Sequence, residues 1–231
     1  MRPINRGNWP VDKNGNNIEL SPYGKAKPFL TDRIGDYCSY CERPGYYAAL
    51  EVEHILPKSL PQYKHLEENW HNFLLGCKNC NPIKGIKVHP FEKIFLPDRD
   101  NTFFAIKILE GGLITINENL GEDDKTKIRN FIDLIGLDRR PGSPNYSNKD
   151  YRWRERKKVW DIAIRYLEKF ENKNADIETI IDLAKGWGFW SVWMTVFKNQ
   201  PDVINNLIKQ FPGCCPKCFD QNLKPVPRNN H

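Results

Sequence analysis

No apolar run in the 231-residue chain approaches the roughly 20 residues that a helix needs to cross a bilayer. The opening "MRPINRGNWP" also lacks the apolar core of a secretory signal. Together these absences argue against a helical membrane protein and for a cytoplasmic one. There is no internal repeat and no low-complexity tract, so a repeat array is excluded. A strong excess of one charge is missing too. Thirty-five Lys and Arg stand against 29 Asp and Glu, a net +6, which permits polyanion binding but is equally explained by solubility. What is present is ordinary for a soluble chain, 39% hydrophobic and 28% charged. That is enough for one sizeable core, or for a small module fused to a larger part.

Seven cysteines need an explanation in a reducing compartment, where metal ligation outweighs disulfides. Four fall in two pairs, Cys38-x2-Cys41 and Cys77-x2-Cys80, separated by 35 residues. Two such knuckles supply four thiolates to a tetrahedral Zn2+ and close its coordination sphere, so the zinc is expected to be structural. A redox role is disfavoured because no βαβ pattern surrounds either pair. Cys215-x2-Cys218 resembles half of a second site. A second zinc there needs a ligand from another chain or from His231, so Cys214, Cys215 and Cys218 read as buried or free thiols.

Residues 1–28, rich in Asn, Gly, Pro and Lys, read as an extended arm. A short helix or strand is expected from Phe29 to Tyr37, strands at 48–55 and 72–75, and a short helix opened by Asn81-Pro82, with Asn81 as its cap. The stretch between the two strands, "LPKSLPQYKHLEENWH", reads as a polar loop. "FFAIKILEGGLITIN" alternates about Gly111-Gly112, which predicts a hairpin. Ile128, Phe131, Ile132 and Ile135 predict a helix closed by Gly136. After a loop at 138–150, a long helix is expected with Val159, Trp160, Ala163, Leu167 and Phe170 inward. Two or three shorter helices follow: one marked by Ile177, Ile180, Ile181 and Ala184, another at "FWSVWMTVF", and the last from Val203 to Phe211, ended by Pro212. The four aromatics of "WGFWSVWM" read as core rather than as a docking patch. "RWRERKK" reads as a solvated face rather than a phosphate track. The fold class is therefore α+β: an arm (1–28), a small zinc-stapled ββα module (29–98), then a β-hairpin and a mainly helical part (99–231).

Between the knuckles lies "EVEHILPKS", residues 51–59. His54, neutral at cellular pH, can take a proton from water. Glu53 and Asn81 offer the hard oxygens that Mg2+ takes alongside water and phosphate. Such an ion stabilises charge on a leaving oxygen while His54 activates water for in-line attack. In a flat strand Glu53 and His54 point to opposite faces, so a bend before Pro57 must help them converge. Singly, each has a plain alternative: His54 a satisfied polar residue, Asn81 a helix cap, Glu51 an outward strand residue, Lys84 a phosphate contact or a solvated helix residue.

The order C-x2-C, "EHILPKS", "NFLLGC", "CNPIKG" resembles the HNH endonuclease family, the ββα-metal fold with an added four-cysteine zinc site. The resemblance implies His54 as general base, Asn72 as the residue pinning the loop behind it, and Asn81 and Glu53 as ligands of a catalytic Mg2+ or Mn2+. The family more often has Asp where Glu53 stands and His where Asn81 stands. Lys58 and Lys84 are the expected nucleic-acid contacts. "MRPINRG", "YCSYCE" and the late run "GFWSVWMTVFKNQPDVINNLIKQFPG" resemble PtuB, the HNH-subunit family of Septu antiphage defence, found also in retron systems of that type. That likeness implies cleavage of double-stranded DNA to a 3′-hydroxyl and 5′-phosphate, and a PtuA-like ATPase partner docked on the C-terminal helices. Two alternatives are an RNA- or tRNA-cleaving effector and a non-catalytic zinc module that binds nucleic acid.

Overall fold

The computed structural model describes residues 1–45 and 47–228. His231, the residue proposed for a second zinc, lies outside them. Helix α1 (Ala26–Ile34) precedes the first hairpin, in which β1 (Leu50–His54) pairs antiparallel with β2 (Phe73–Cys77). The register sets Leu50 against Cys77, Glu51 against Gly76 and His54 against Phe73. A short helix, α2 (Cys80–Lys84), follows directly and completes a ββα unit. Helix α3 (Thr102–Ala105) leads into the second hairpin, β3 (Ile106–Leu109) with β4 (Leu113–Ile116). Among the described residues five α-helices follow: α4 (Glu122–Ile135), α5 (Arg152–Glu171), α6 (Ile177–Trp187), α7 (Trp190–Val196) and α8 (Pro201–Gln210).

Local chemistry accounts for most of these elements. In α4 the expected stripe of Ile128, Phe131, Ile132 and Ile135 is buried. Gly136 ends that helix in the left-handed region, where its amide caps the Ile132 and Asp133 carbonyls. The second hairpin turns at Gly111 and Gly112, both at positive φ. Helix α8 begins at Pro201, a position that has no intrahelical amide to lose. Of the "WGFWSVWM" aromatics, Phe189, Trp190 and Trp193 are buried, whereas Trp187 is exposed beneath Lys158.

The buried side chains form one continuous cluster that runs from Met1 through the knuckle cysteines to α8. The arm takes part in it. Met1, Arg2 and Ile4 are buried, and Arg2 donates to the Ile34 and Pro212 carbonyls, tying α1 to the segment after α8. The arm's last residues depart from the expected extended form, because α1 begins at Ala26 with Pro28 in its first turn, where proline is tolerated. Glu42 is a second tie: its carboxylate accepts from the Arg2 and Ser191 amides, and its carbonyl accepts from the Phe189 amide. The first knuckle is thereby joined to the start of α7.

The long helix α5 corrects one expectation. Arg152 and Arg156 of "RWRERKK" are buried rather than solvated. Arg152 makes an ion pair with Asp150, donates to the Ile135 and Gly136 carbonyls at the end of α4, and lies 3.2 Å from the Cys80 sulfur. Ile162 is buried in the same helix, while Trp160, Leu167 and Phe170 pack at the core's margin.

Candidate metal centre and active site

The four knuckle cysteines converge as the spacing predicts. Their sulfurs all lie within 4.8 Å of one another, and every one of the residues is buried. Cys41 and Cys77 sulfurs are 3.8 Å apart, the edge of a tetrahedron built on Zn–S bonds of about 2.3 Å. Backbone amides support the set: the Cys77 amide donates to the Cys38 sulfur at 3.4 Å, and the Cys80 amide to the Cys77 sulfur at 3.5 Å. Without a cation the cluster is electrostatically unsettled, since burial pushes the Cys41 and Cys80 thiols up while hydrogen bonds from the other cysteines pull Cys77 down. Arg152 supplies a positive charge against Cys80, a contact that the long-range fold creates and no local motif announces. Among the described residues no other group of three or more His, Cys, Asp or Glu side chains converges in this way. Cys214, Cys215 and Cys218 are buried free thiols. Burial pushes Cys214 up to about 12, and a hydrogen bond from Cys218 draws Cys215 down to about 6.

By joining the residues before β1 to the end of β2 and the start of α2, the cluster shapes a cavity of about 530 Å³. Glu51, Val52, Glu53 and His54 all border it. Four consecutive strand residues can line one cavity only where it runs along the strand's edge, because their side chains alternate between faces. This resolves how Glu53 and His54 share a site. The edge of β1 away from β2, rather than either face, presents them both.

His54 lies between two rings, 4.8 Å from Tyr23 and 5.1 Å from Phe73, both edge-on. Its Nε2 is 2.9 Å from the Glu67 carbonyl. A carbonyl only accepts, so Nε2 carries the proton and Nδ1 keeps its lone pair when the ring is neutral. Nδ1 has no hydrogen-bond partner among the described residues. Burial lowers the pKa of His54, which favours that neutral form. The Glu67 carbonyl is held in place by its own side chain, whose carboxylate pairs with Lys58 at 2.7 Å and with Lys64. These hydrogen bonds pull the Glu67 carboxyl down to about 2. Asn72 spans the same loop: its Oδ1 accepts from the Leu56 amide at 2.8 Å, and its Nδ2 donates to the Leu56 and Leu66 carbonyls.

On the other side of the edge, Glu51 and Glu53 share a face two residues apart. Asn81 donates to Glu51 at 2.7 Å, which leaves its Oδ1 without a partner among the described residues. Gly76, paired with Glu51, has no side chain to hold α2 away. A Cβ there would lie 3.1 Å from the Glu53 Cβ and 3.5 Å from the Asn81 Cβ. Lys84 corrects an expectation. It is neither solvated nor free for a phosphate, because its ammonium is buried between the Glu53 carboxylate and the His54 carbonyl, 2.7 Å from each. Burial raises the Glu53 pKa, and Lys84 opposes that shift. Asn81 is not a cap either. The knuckle starts the helix one residue earlier, at Cys80, and the preceding Asn79 makes no side-chain cap.

The donor set fits a hard divalent cation. Glu53 keeps one oxygen outside its contact with Lys84, and the Asn81 carbonyl oxygen and the Glu51 carboxylate lie on the same face. Glu51 was read from the sequence as a plain strand residue, and the register that brings Asn81 to it has no local signature. Tyr23 and Lys27, from the end of the arm and the start of α1, also line the cavity.

Residues 38–87 match the family model described as HNH endonuclease.

The HNH match begins at the first knuckle cysteine and ends just past α2, so it covers both strands, both knuckles and the cavity residues of α2. No curated protein and no solved structure matches the chain. The protein is thus a mixed α/β chain with an HNH domain, a four-cysteine metal-binding cluster of the zinc type and a helical C-terminal region. An HNH domain implies metal-dependent nuclease chemistry on nucleic acid. No described helix is long and apolar enough to cross a membrane.

Proposed function

We propose that the chain hydrolyses phosphodiester bonds through His54, with Glu53 and Asn81 holding one Mg2+ or Mn2+ and the four cysteines holding structural Zn2+. The observation that carries this reading is the fixed tautomer of His54. Its Nε2 is committed to the Glu67 carbonyl, and its basic Nδ1 is unencumbered beside a cavity that also presents Glu53 and Asn81. Glu53 and Asn81 would hold the divalent cation, which would supply polarisation of the scissile phosphate and offset charge on the leaving oxygen. His54 takes the proton of the attacking water through Nδ1, and the carbonyl at Nε2 stabilises the imidazolium that results. Asn72 keeps the loop from drifting, so the base stays aimed. Lys84 orients Glu53 and opposes the burial that disfavours its ionised form. Lys58, half-buried at the mouth between its Glu67 partner and the Tyr23 ring, over which it rests at 4.1 Å, contacts the nucleic-acid backbone.

The finer part of the proposal rests on the residue resemblance set out above. Double-stranded DNA is the substrate, the setting is cytoplasmic antiphage defence, and a PtuA-like ATPase partner gates the nuclease. The test is cleavage of plasmid DNA and of total tRNA by zinc-loaded protein, with and without the ATPase partner, in Mg2+, in Mn2+ and with a chelator. DNA cut only with added divalent ion supports the metal-dependent nuclease and its DNA substrate, and cutting that needs the ATPase supports the gating. Preferential cutting of tRNA moves the substrate to RNA, and cleavage that ignores the chelator removes the metal mechanism.

A further inference from the structure

A second cavity, of about 520 Å³, lies far along the chain from the HNH domain and uses none of its residues. Its floor is apolar, with Phe103, Met194 and Ile204 contributing. Its rim carries Lys107, Lys198 and Lys224, which come from β3, the α7–α8 junction and the segment after α8. No carboxylate lines it, and none of the three lysines forms an ion pair among the described residues.

All four residues of β3 border this cavity. By the same alternation argument it runs along the edge of β3 that β4 leaves open. The Asn117 amide donates to the Ala105 carbonyl at 2.9 Å, which sets the phase of the ladder. Ile106 and Ile108 then turn their backbone groups away from β4, toward the cavity. The Ile106 amide is used by the Thr102 carbonyl, which leaves the Ile106 carbonyl and both groups of Ile108 facing the open edge.

We infer that this edge docks an extended segment of a partner protein in which apolar and acidic side chains alternate. The added strand pairs with Ile108, its apolar side chains fill the floor, and its acids meet the three lysines. A single lysine on an edge strand commonly serves to repel unwanted pairing. That role needs only Lys107, whereas two more lysines from separate elements converge on the same rim. Partial burial without an acidic neighbour lowers the Lys107 pKa, a cost that an incoming carboxylate relieves. The inference holds whether or not the HNH domain cleaves DNA.

The test pans a displayed random-peptide library against the full chain. Enriched peptides are expected to alternate apolar residues with Asp or Glu. Their synthetic versions should bind at least about tenfold more weakly to the Lys107→Glu/Lys198→Glu/Lys224→Glu variant. A backbone N-methylated copy of the best peptide, with the same side chains but no donors, should lose binding to the unaltered chain. Enrichment of non-acidic peptides, binding indifferent to charge reversal, or full binding by the N-methylated copy overturns the inference. So does an empty selection, or ATP or duplex DNA occupying the site in place of peptide. Because all three lysines are exposed, the variant should melt like the parent, and the N-methylation arm needs no variant at all.

Discussion

The two hairpins use one backbone device for different ends. Each is a two-stranded antiparallel pair whose first strand leaves an open edge on a cavity. Their connections differ. Three residues, 110–112, join β3 to β4. Eighteen residues, 55–72, join β1 to β2, and these need Asn72, the Glu67 ion pairs and the cysteine cluster to hold them. The side chains differ as well. The edge of β1 mixes acids, an imidazole and lysines, whereas the cavity at the edge of β3 combines lysines with hydrocarbon and holds no acid. A hairpin that closes itself is free to present a plain surface. One that is closed by metal and long-range contacts can bring opposite charges together at a site.

Removing the zinc proposed for the cysteine cluster is expected to break the comparison most severely. Structural zinc contributes on the order of 10–16 kcal/mol in small zinc domains, at least as much as a typical domain's whole stability of about 5–15 kcal/mol. Chelation, or Cys77→Ser, is expected to strip hydrogen-exchange protection from β1 and β2. Protection in β3 and β4 should outlast it, and equal loss in both hairpins would show that the cluster does not act locally. Next in size is Lys84→Met, which leaves the buried Glu53 carboxylate unpaired. A cost of about 3–5 kcal/mol is expected in urea unfolding, partly recovered in Lys84→Met/Glu53→Gln.

Two glycines sharpen the contrast with smaller effects, on the order of 1 kcal/mol. Gly76→Ala pushes a methyl group between Glu53 and Asn81, so it should lower cleavage more than stability. Gly111→Ala meets open space but sits at φ +68°, so it should lower the melting temperature and leave cleavage intact. The mildest test is pH. The His54 pKa is lowered, so the base remains neutral below the usual histidine value of about 6.5. The acid limb of the rate should therefore lie below that value, and a midpoint above it would contradict the buried, neutral base.

Where a pattern is local, the sequence announced it. The knuckle spacing, the period of α4 with Gly136 after it, and the alternation about Gly111-Gly112 each express one element's own geometry. What stayed hidden depends on partners far along the chain or on backbone atoms. A carbonyl such as that of Glu67 has no side-chain signature, although it decides which His54 nitrogen is basic. The burial of Arg152 and Arg156 was unreadable because a charged helix gives no sign that the knuckle and the end of α4 will meet it. Lys84 was misplaced, and the Asn81 contact of the outward-facing Glu51 stayed hidden, for a related reason: only the register of β1 on β2 and the early start of α2 tell which acid each cation or amide meets.

The most direct measurement is single-turnover cleavage of DNA by zinc-loaded protein with Mg2+ or Mn2+, comparing the unaltered chain with His54→Ala. Loss of a general base is expected to slow the reaction by about 10²–10⁴-fold, with bound zinc and the melting temperature unchanged. Equal rates from the two proteins, or no metal-dependent cleavage by the unaltered one even with the proposed ATPase partner present, would contradict the assignment of His54 as the base of a nuclease.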